Sequence, residues 1–224
     1  AQTTPTGDNS QQWIFEWQGD ALNVWIDMAR AKHYYNIHNY AAMMSLGMLI
    51  EIVRLSAEQQ QFQCDFKVSD DYLNSDTSKP WCQITFKPMA QANPSSSALY
   101  ACIQKRYTDR RIYAKTPIDT ETLNRLSSQG DHSRRTSLKF CKTLTQDFLN
   151  YFKHCDYIMA HRQEPLRDIS KWVRMSLAEA EKSRDGIYWK QLDLDYVGAK
   201  MFSLFCRWPR LPQLLWYFGF GLMN

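Results

Sequence analysis

The sequence lacks the marks of several common chemistries. Its six cysteines, Cys64, Cys82, Cys102, Cys141, Cys155 and Cys206, are scattered, and none forms a C-x-x-C pair. That spacing excludes a zinc ribbon and a small disulfide framework, so no metal site is expected. His154, Cys155 and His161 share one predicted helix, too few converging ligands for an ion. There is no Gly-x-Ser-x-Gly elbow, no P-loop and no Gly-rich dinucleotide turn. Asp193 and Asp195 fall in a predicted loop without a placed partner, and no catalytic acid, base or nucleophile stands out.

Long apolar runs are also scarce. The tract 211–223 contains Pro212 and Gln213 and falls short of the roughly 20 apolar residues that a bilayer span needs. No apolar leader opens the chain, and no membrane association is expected. With unpaired cysteines, this gives the expectation of a reducing, cytoplasmic setting. Net charge is only +4, which does not by itself argue for nucleic acid.

What is present is a large aromatic content and a local cluster of base. Aromatic residues make up 14% of the 224 residues, enough large rings to require a substantial core or interface. Lys105, Arg106, Arg110, Arg111, Lys115, Arg125, Arg134, Arg135, Lys139 and Lys142 crowd into 105–142. Such a cluster suits a phosphate-bearing ligand, though for most of these residues a solvated basic face is the simpler reading.

The hydropathy pattern mixes both periods. Residues 13–17 and the alternating Leu22, Val24 and Ile26 flank a Gly19-Asp20 turn, which predicts a hairpin. Residues 38–58 predict a long helix, apolar almost all round and so expected to be buried on most sides. Cys64, Phe66 and Val68, then Cys82, Ile84 and Phe86, alternate with polar residues as half-buried strands do. A short helix is expected from near Ala98, and another after a cap at Asp119. Thr136, Leu138 and Phe140 predict a short strand, 144–159 and 165–178 predict helices, and 183–197 reads as loop.

Two segments carry chemistry. The first runs Thr4-Pro5-Thr6-Gly7-Asp8-Asn9-Ser10-Gln11-Gln12-Trp13. It resembles the Pro-Ser-x-x-Asn-x-Gln-Pro-Trp turn of the nitroreductase family, with Thr6 for the usual serine and Gln12 for the usual proline. The second, Arg106-Tyr107-Thr108-Asp109-Arg110, resembles the family's Arg-x-Ser/Thr-x-Arg segment. Two guanidinium groups four residues apart, with a hydroxyl between, can converge on one phosphate.

The resemblance implies a flavin mononucleotide (FMN) site. Arg106, Thr108 and Arg110 would hold the phosphate, while Pro5, Thr6, Gly7 and Asn9 would contact the ring and ribityl chain. It also implies an α+β, nitroreductase-like fold, an antiparallel sheet with packed helices. The turn precedes the arginine segment, which matches tandem proteins built as a pseudo-dimer of two related halves, similar to the dormancy-associated mycobacterial type. Expected halves are 1–96, without its N-terminal helix, and 97–224, without its C-terminal strand. The chain is thus expected to be truncated at both ends, and an attached adenylation-type domain or a homodimer is compatible with the pattern. Gly130-Asp131-His132-Ser133-Arg134-Arg135 reads as a degenerate second copy of the turn, so one FMN site is expected. The implied activity is FMN-dependent oxidoreduction, passing electrons from NADH or NADPH to a nitro, quinone or similar small-molecule substrate. The alternative is a flavin-binding or storage protein without turnover, its site lidded by the aromatic tract 208–220.

Overall fold

The computed structural model describes residues 3–70, 78–91, 94–111, 113–129, 140–141 and 143–217. They form two compact units, one of Ala1–Arg110 with Gln163–Asn224 and one of Arg111–Arg162. The architecture is mixed α and β, with an antiparallel sheet and packed helices.

In the first unit, β1 (Trp13–Gln18) and β2 (Ala21–Ile26) form the expected hairpin, with Trp13 opposite Ile26 and Gln18 opposite Ala21. Gly19 closes it at φ +58, where a Cβ would be strained. β3 (Phe62–Val68) and β4 (Cys82–Pro88) complete a sheet of order β1-β2-β4-β3. Paired residues share a face, so Val24, Cys82 and Val68 look one way along with Leu22, Ile84 and Phe66. That face meets α2 (Tyr40–Gln59), and Val24, Cys82, Ile84, Leu46 and Leu49 form its nearly dry core. The opposite face is polar. Asn23, only 2% exposed, donates to Gln18 Oε1 at 3.0 Å and accepts from Gln83 Nε2 at 3.1 Å. A chain of amides therefore crosses three strands and satisfies a buried polar side chain.

α2 begins where the Asn36 side chain accepts from the Ala42 N–H at 3.0 Å, supplying the partner an initial helical donor lacks. Its burial departs from expectation. Ala42, Ser45, Leu46, Leu49, Leu55 and Ala57 are buried, but Tyr40, Met44 and Met48 are exposed, Met44 to 71%. The sheet covers one side only, and α3 (Pro94–Ile103) packs against α2 with Ser96 hydrogen-bonded to Glu58. By length and composition Ile37–Gln59, at mean hydropathy 1.4, would also cross a bilayer, a test that core helices of soluble proteins pass as well.

The segment expected as one helix over 165–178 is broken. α6 (Gln163–Ser170) ends, β5 (Val173–Arg174) follows, and α7 (Leu177–Ser183) starts afresh. Tertiary pairing wins over local periodicity here. Trp172 and Val173 are buried, the Trp172 carbonyl accepts from the Ile187 N–H at 2.7 Å, and β5 pairs in parallel with β6 (Ile187–Tyr188). Ser176 caps α7 by accepting from the Glu179 N–H at 3.1 Å. α8 (Tyr196–Arg207), capped by Asp195, packs on α6, and α9 (Leu211–Tyr217) follows.

The second unit holds α4 (Thr120–Gln129) and α5 (Gln146–His161), capped by Asp119 and Thr145. The expected strand at 136–140 and the second copy of the turn at 130–135 lie largely or wholly outside the described residues.

Candidate functional site

The turn preceding β1 is tightly built. Thr4, Ser10 and Gln12 are buried to 1%, 0% and 2% exposure. Asp8, Asn9 and Gln11 all adopt positive φ, 49°, 54° and 49°. Such backbone is uncommon outside glycine and needs support from its surroundings. Hydrogen bonds supply it. The Asn9 N–H donates to Thr6 O, the Ser10 N–H to Gly7 O, and the Gln11 N–H to Thr6 Oγ1 at 3.2 Å. Gln11 Nε2 reaches both Thr4 O and Asn9 Oδ1.

Gln12, where the resemblance leads one to expect proline, keeps the turn rigid by another route. Its side chain accepts from Ser10 Oγ at 2.6 Å, and its carbonyl accepts from the Asp27 N–H at 2.9 Å. Gly7 lies close to the His33 ring: a Cβ there would stand 2.9 Å from His33 Nε2, so the imidazole would have to shift to admit one. Asn9 is partly committed, donating from Nδ2 to the Gly186 carbonyl at 2.8 Å. Pro5 is half-buried beside these residues.

The arginine segment follows the end of α3, where the N–H groups of Lys105 and Arg106 both bond the Cys102 carbonyl. Arg106, Thr108 and Arg110 are exposed. Arg106 Nη2 donates to the Thr3 carbonyl at 3.3 Å, which brings the two segments together across 103 residues of chain. Arg110 Nη1 makes a long contact, 3.5 Å, with the Gln191 carbonyl, and its charge acts on Asp8 of the turn.

Charge around the turn is mixed. Burial pushes the Asp8 carboxyl above the usual range; His33 and Arg110 pull it down and Asp168 pushes it up, without reversing the outcome. Asp168, on α6, accepts from the Tyr34 N–H and from Lys171 Nζ at 2.6 Å. Burial and then Asp8 push the Tyr35 phenol up. Two buried polar atoms at the turn, Thr4 Oγ1 and His33 Nδ1, have no hydrogen-bond partner among the described residues.

Residues that sequence reasoning missed complete the setting. Asp185, 8% exposed, accepts from Arg174 Nη2 at 2.6 Å and from Arg30 Nη1 at 3.0 Å, and the same Arg30 nitrogen donates to the Ser10 carbonyl. His33 stands against Gly7, its ring 2.9 Å from where a Cβ would sit. No short motif marks any of them. Among the described residues no group of three or more potential ligands could hold a metal ion. A cavity of about 290 Å³ lies instead among Val173, Met175, Phe202 and Cys206, with Ser170, Ser203 and Arg207, none of them from the two motif segments. In the aromatic tract expected as a lid, Trp208 and Tyr217 are exposed, and 218–220 lies outside the described residues. The chain matches no family model and no curated protein sequence.

Proposed function

We propose that this chain binds FMN between the 4–9 turn and the 106–110 segment, and acts as an oxidoreductase passing electrons from NADH or NADPH to a nitro, quinone or similar acceptor. The observation that carries the reading is the Arg106–Thr3 hydrogen bond at 3.3 Å, which sets the two resembling segments side by side.

The residues present fit such a group. Arg106 and Arg110 are exposed guanidinium groups whose contacts, 3.3 and 3.5 Å to single carbonyls, leave donors available for a phosphate. Thr108 would add a hydroxyl from the exposed stretch between them. On the ring side, Pro5, Thr6, Gly7 and Asn9 are partly exposed and present backbone and amide groups. A bound flavin supplies redox chemistry that no side chain here supplies. The chain's own residues bind, orient and shield. The same reading carries the nitroreductase-like fold and the two halves, 1–96 and 97–224.

The test is the visible absorption spectrum of the purified chain after adding FMN and removing the excess. Retained flavin in the wild type, lost in the Arg106→Ala, Arg110→Ala double variant, is the expected result. Wild-type protein that keeps no flavin sinks the reading. Acceptor-dependent NADH or NADPH oxidation then separates an oxidoreductase from a flavin carrier.

A further inference from the structure

The cavity of about 290 Å³ is walled by the end of α6, by β5 and by α8. One side of it is apolar. Val173 comes from β5, Met175 follows it, and Phe202 and Cys206, four residues apart, share one face of α8. Burial pushes the Cys206 thiol up to about 11, so it is neutral at ordinary pH and belongs with the apolar wall. The other side is polar. Ser203 and Arg207, again four apart on α8, bring a hydroxyl and a guanidinium beside that row, and Ser170 adds a hydroxyl from the last residue of α6. Ser170 is committed, donating to the Arg167 carbonyl at 2.7 Å. Ser203 and Arg207 are not: among the described residues neither side chain has a hydrogen bond or an ion pair.

This pairing defines what the cavity can hold. Arg207 only donates, so the group that meets it must be an acceptor. Among the described lining residues it alone is charged, which favours an anion. The C-terminal end of α8 carries a partial negative charge of about half a unit, too little to cancel a full guanidinium charge. Lys171, next along the chain from Ser170, is held by Asp168 at 2.6 Å and leaves Arg207 to meet the anion. The volume lies at the lower end for small-molecule sites, about 300 Å³, and at about 30 Å³ per water-sized group it takes roughly ten heavy atoms. We propose that the cavity binds a small amphipathic monocarboxylate, its acid group on Arg207 and Ser203 and its apolar body against Val173, Met175, Phe202 and Cys206. An aliphatic tail of about seven carbons fills the space. This site is separate from the proposed FMN site and does not depend on that reading.

The test titrates the full chain with octanoate and with octanamide, its neutral isostere, by ligand-observed NMR at pH 7.5. Octanoate should bind saturably with a Kd below about 1 mM, and octanamide about 5- to 10-fold more weakly. Arg207→Gln, a change at an exposed side chain, should bring octanoate down to the octanamide affinity and leave octanamide unchanged. The site is located on the wild-type protein, so the result does not hang on a variant. Saturating octanoate should slow labelling of Cys206 by the small neutral reagent methyl methanethiosulfonate about 5-fold or more, with exposed Cys102 and Cys141 unaffected, as read by peptide mapping. No saturable octanoate binding up to about 3 mM overturns the proposal. So does binding that leaves Cys206 unprotected, which puts the ligand elsewhere. Equal affinities for octanoate and octanamide, or an Arg207→Gln protein that binds octanoate as the wild type does, also overturn it, because the acid group then goes unrecognised.

Discussion

Asn9 and Gly186 exchange two hydrogen bonds: Asn9 Nδ2 donates to the Gly186 carbonyl at 2.8 Å, and the Gly186 N–H donates to the Asn9 carbonyl at 3.0 Å. A turn near the start of the chain is thereby tied to the β6 region 177 residues later. Gly186 can hold this position only as glycine. Its φ is +73, and a Cβ would stand 2.3 Å from the Trp172 carbonyl oxygen. Gly186→Ala should therefore cost about 2 kcal/mol or more, from left-handed strain plus the displaced carbonyl. For a chain of this size that lowers Tm by roughly 4–8 °C, read by thermal denaturation. Asn9→Ala, which removes one side of the exchange, should cost only about 1 kcal/mol. A Gly186→Ala protein as stable as wild type would mean that the turn and β6 are not joined in this way.

The carboxylate of Asp185 is the second tie between these regions. Arg174 and Asp185 side chains are only 12% and 9% exposed and meet at 2.6 Å. Burial alone would raise the Asp185 pKa, but hydrogen bonds from Arg174 and Ser183 and the charges of Arg174 and Arg30 outweigh it and hold it below the ordinary value. Because the folded pKa is depressed, the stabilisation is present above the unfolded value of about 3.9 and is lost as pH falls through the folded pKa. Asp185→Asn leaves Arg174 buried without its counter-charge and should cost about 3 kcal/mol at pH 7. Urea denaturation at pH 7 and at pH 3 should show that deficit narrowing in acid. A deficit independent of pH would point to packing rather than charge.

The hairpin, α2, β3 and β4 were legible because their signals are local: a two-residue turn, alternation of Leu22, Val24 and Ile26, and a run of helix formers free of proline. The break at Lys171–Met175 was not, because it depends on Trp172 bonding a residue fifteen positions on. Even so, Ser176-x-x-Glu179 is a capping-box pattern, and the Met175 N–H does bond Glu179 Oε2, so a fresh helix start was readable. The one-sided exposure of α2 could not be read from periodicity, since Tyr40, Met44 and Met48 are as apolar as the residues that face the sheet. In the candidate site, residue types and spacing led to Arg106 and the turn, and their adjacency is a fact of the fold. His33, Asp168 and Asp185 had no motif to mark them. What singles them out is who stands beside them.

Thiol reactivity offers a check on the sheet core. Burial pushes the thiols of Cys82 and Cys64 up to about 11, with Glu58 and Asp65 adding to the effect at Cys64. Burial does the same at Cys206, also to about 11. Cys102 and Cys141 are exposed. Since the thiolate is the nucleophile, the native protein at pH 8 should show Cys102 and Cys141 reacting fast with a disulfide reagent. Cys82 should react at least about 10³ times more slowly than those two, and release its thiol only on unfolding, because its reaction depends on opening of the fold. Rapid labelling of Cys82 in native protein, located by peptide mapping, would contradict the packing of β4 against α2.

The two faces of α2 make opposite predictions. Leu49 is fully buried in the cluster with Val24, Ile84 and Leu46, whereas Met44, earlier on the same helix, is 71% exposed. Leu49→Ala removes apolar contacts and leaves a cavity in a core that closes only partly, and should cost about 2–5 kcal/mol. Met44→Gln replaces an exposed thioether by an amide of similar shape and helix propensity, and should change stability by less than about 0.5 kcal/mol. Urea denaturation of both variants distinguishes the cases. If Met44→Gln costs as much as Leu49→Ala, something covers the Tyr40–Met44–Met48 face in solution. In that case the deficit should grow weaker on dilution if the cover is a second copy of the chain, and stay constant if the cover comes from within it.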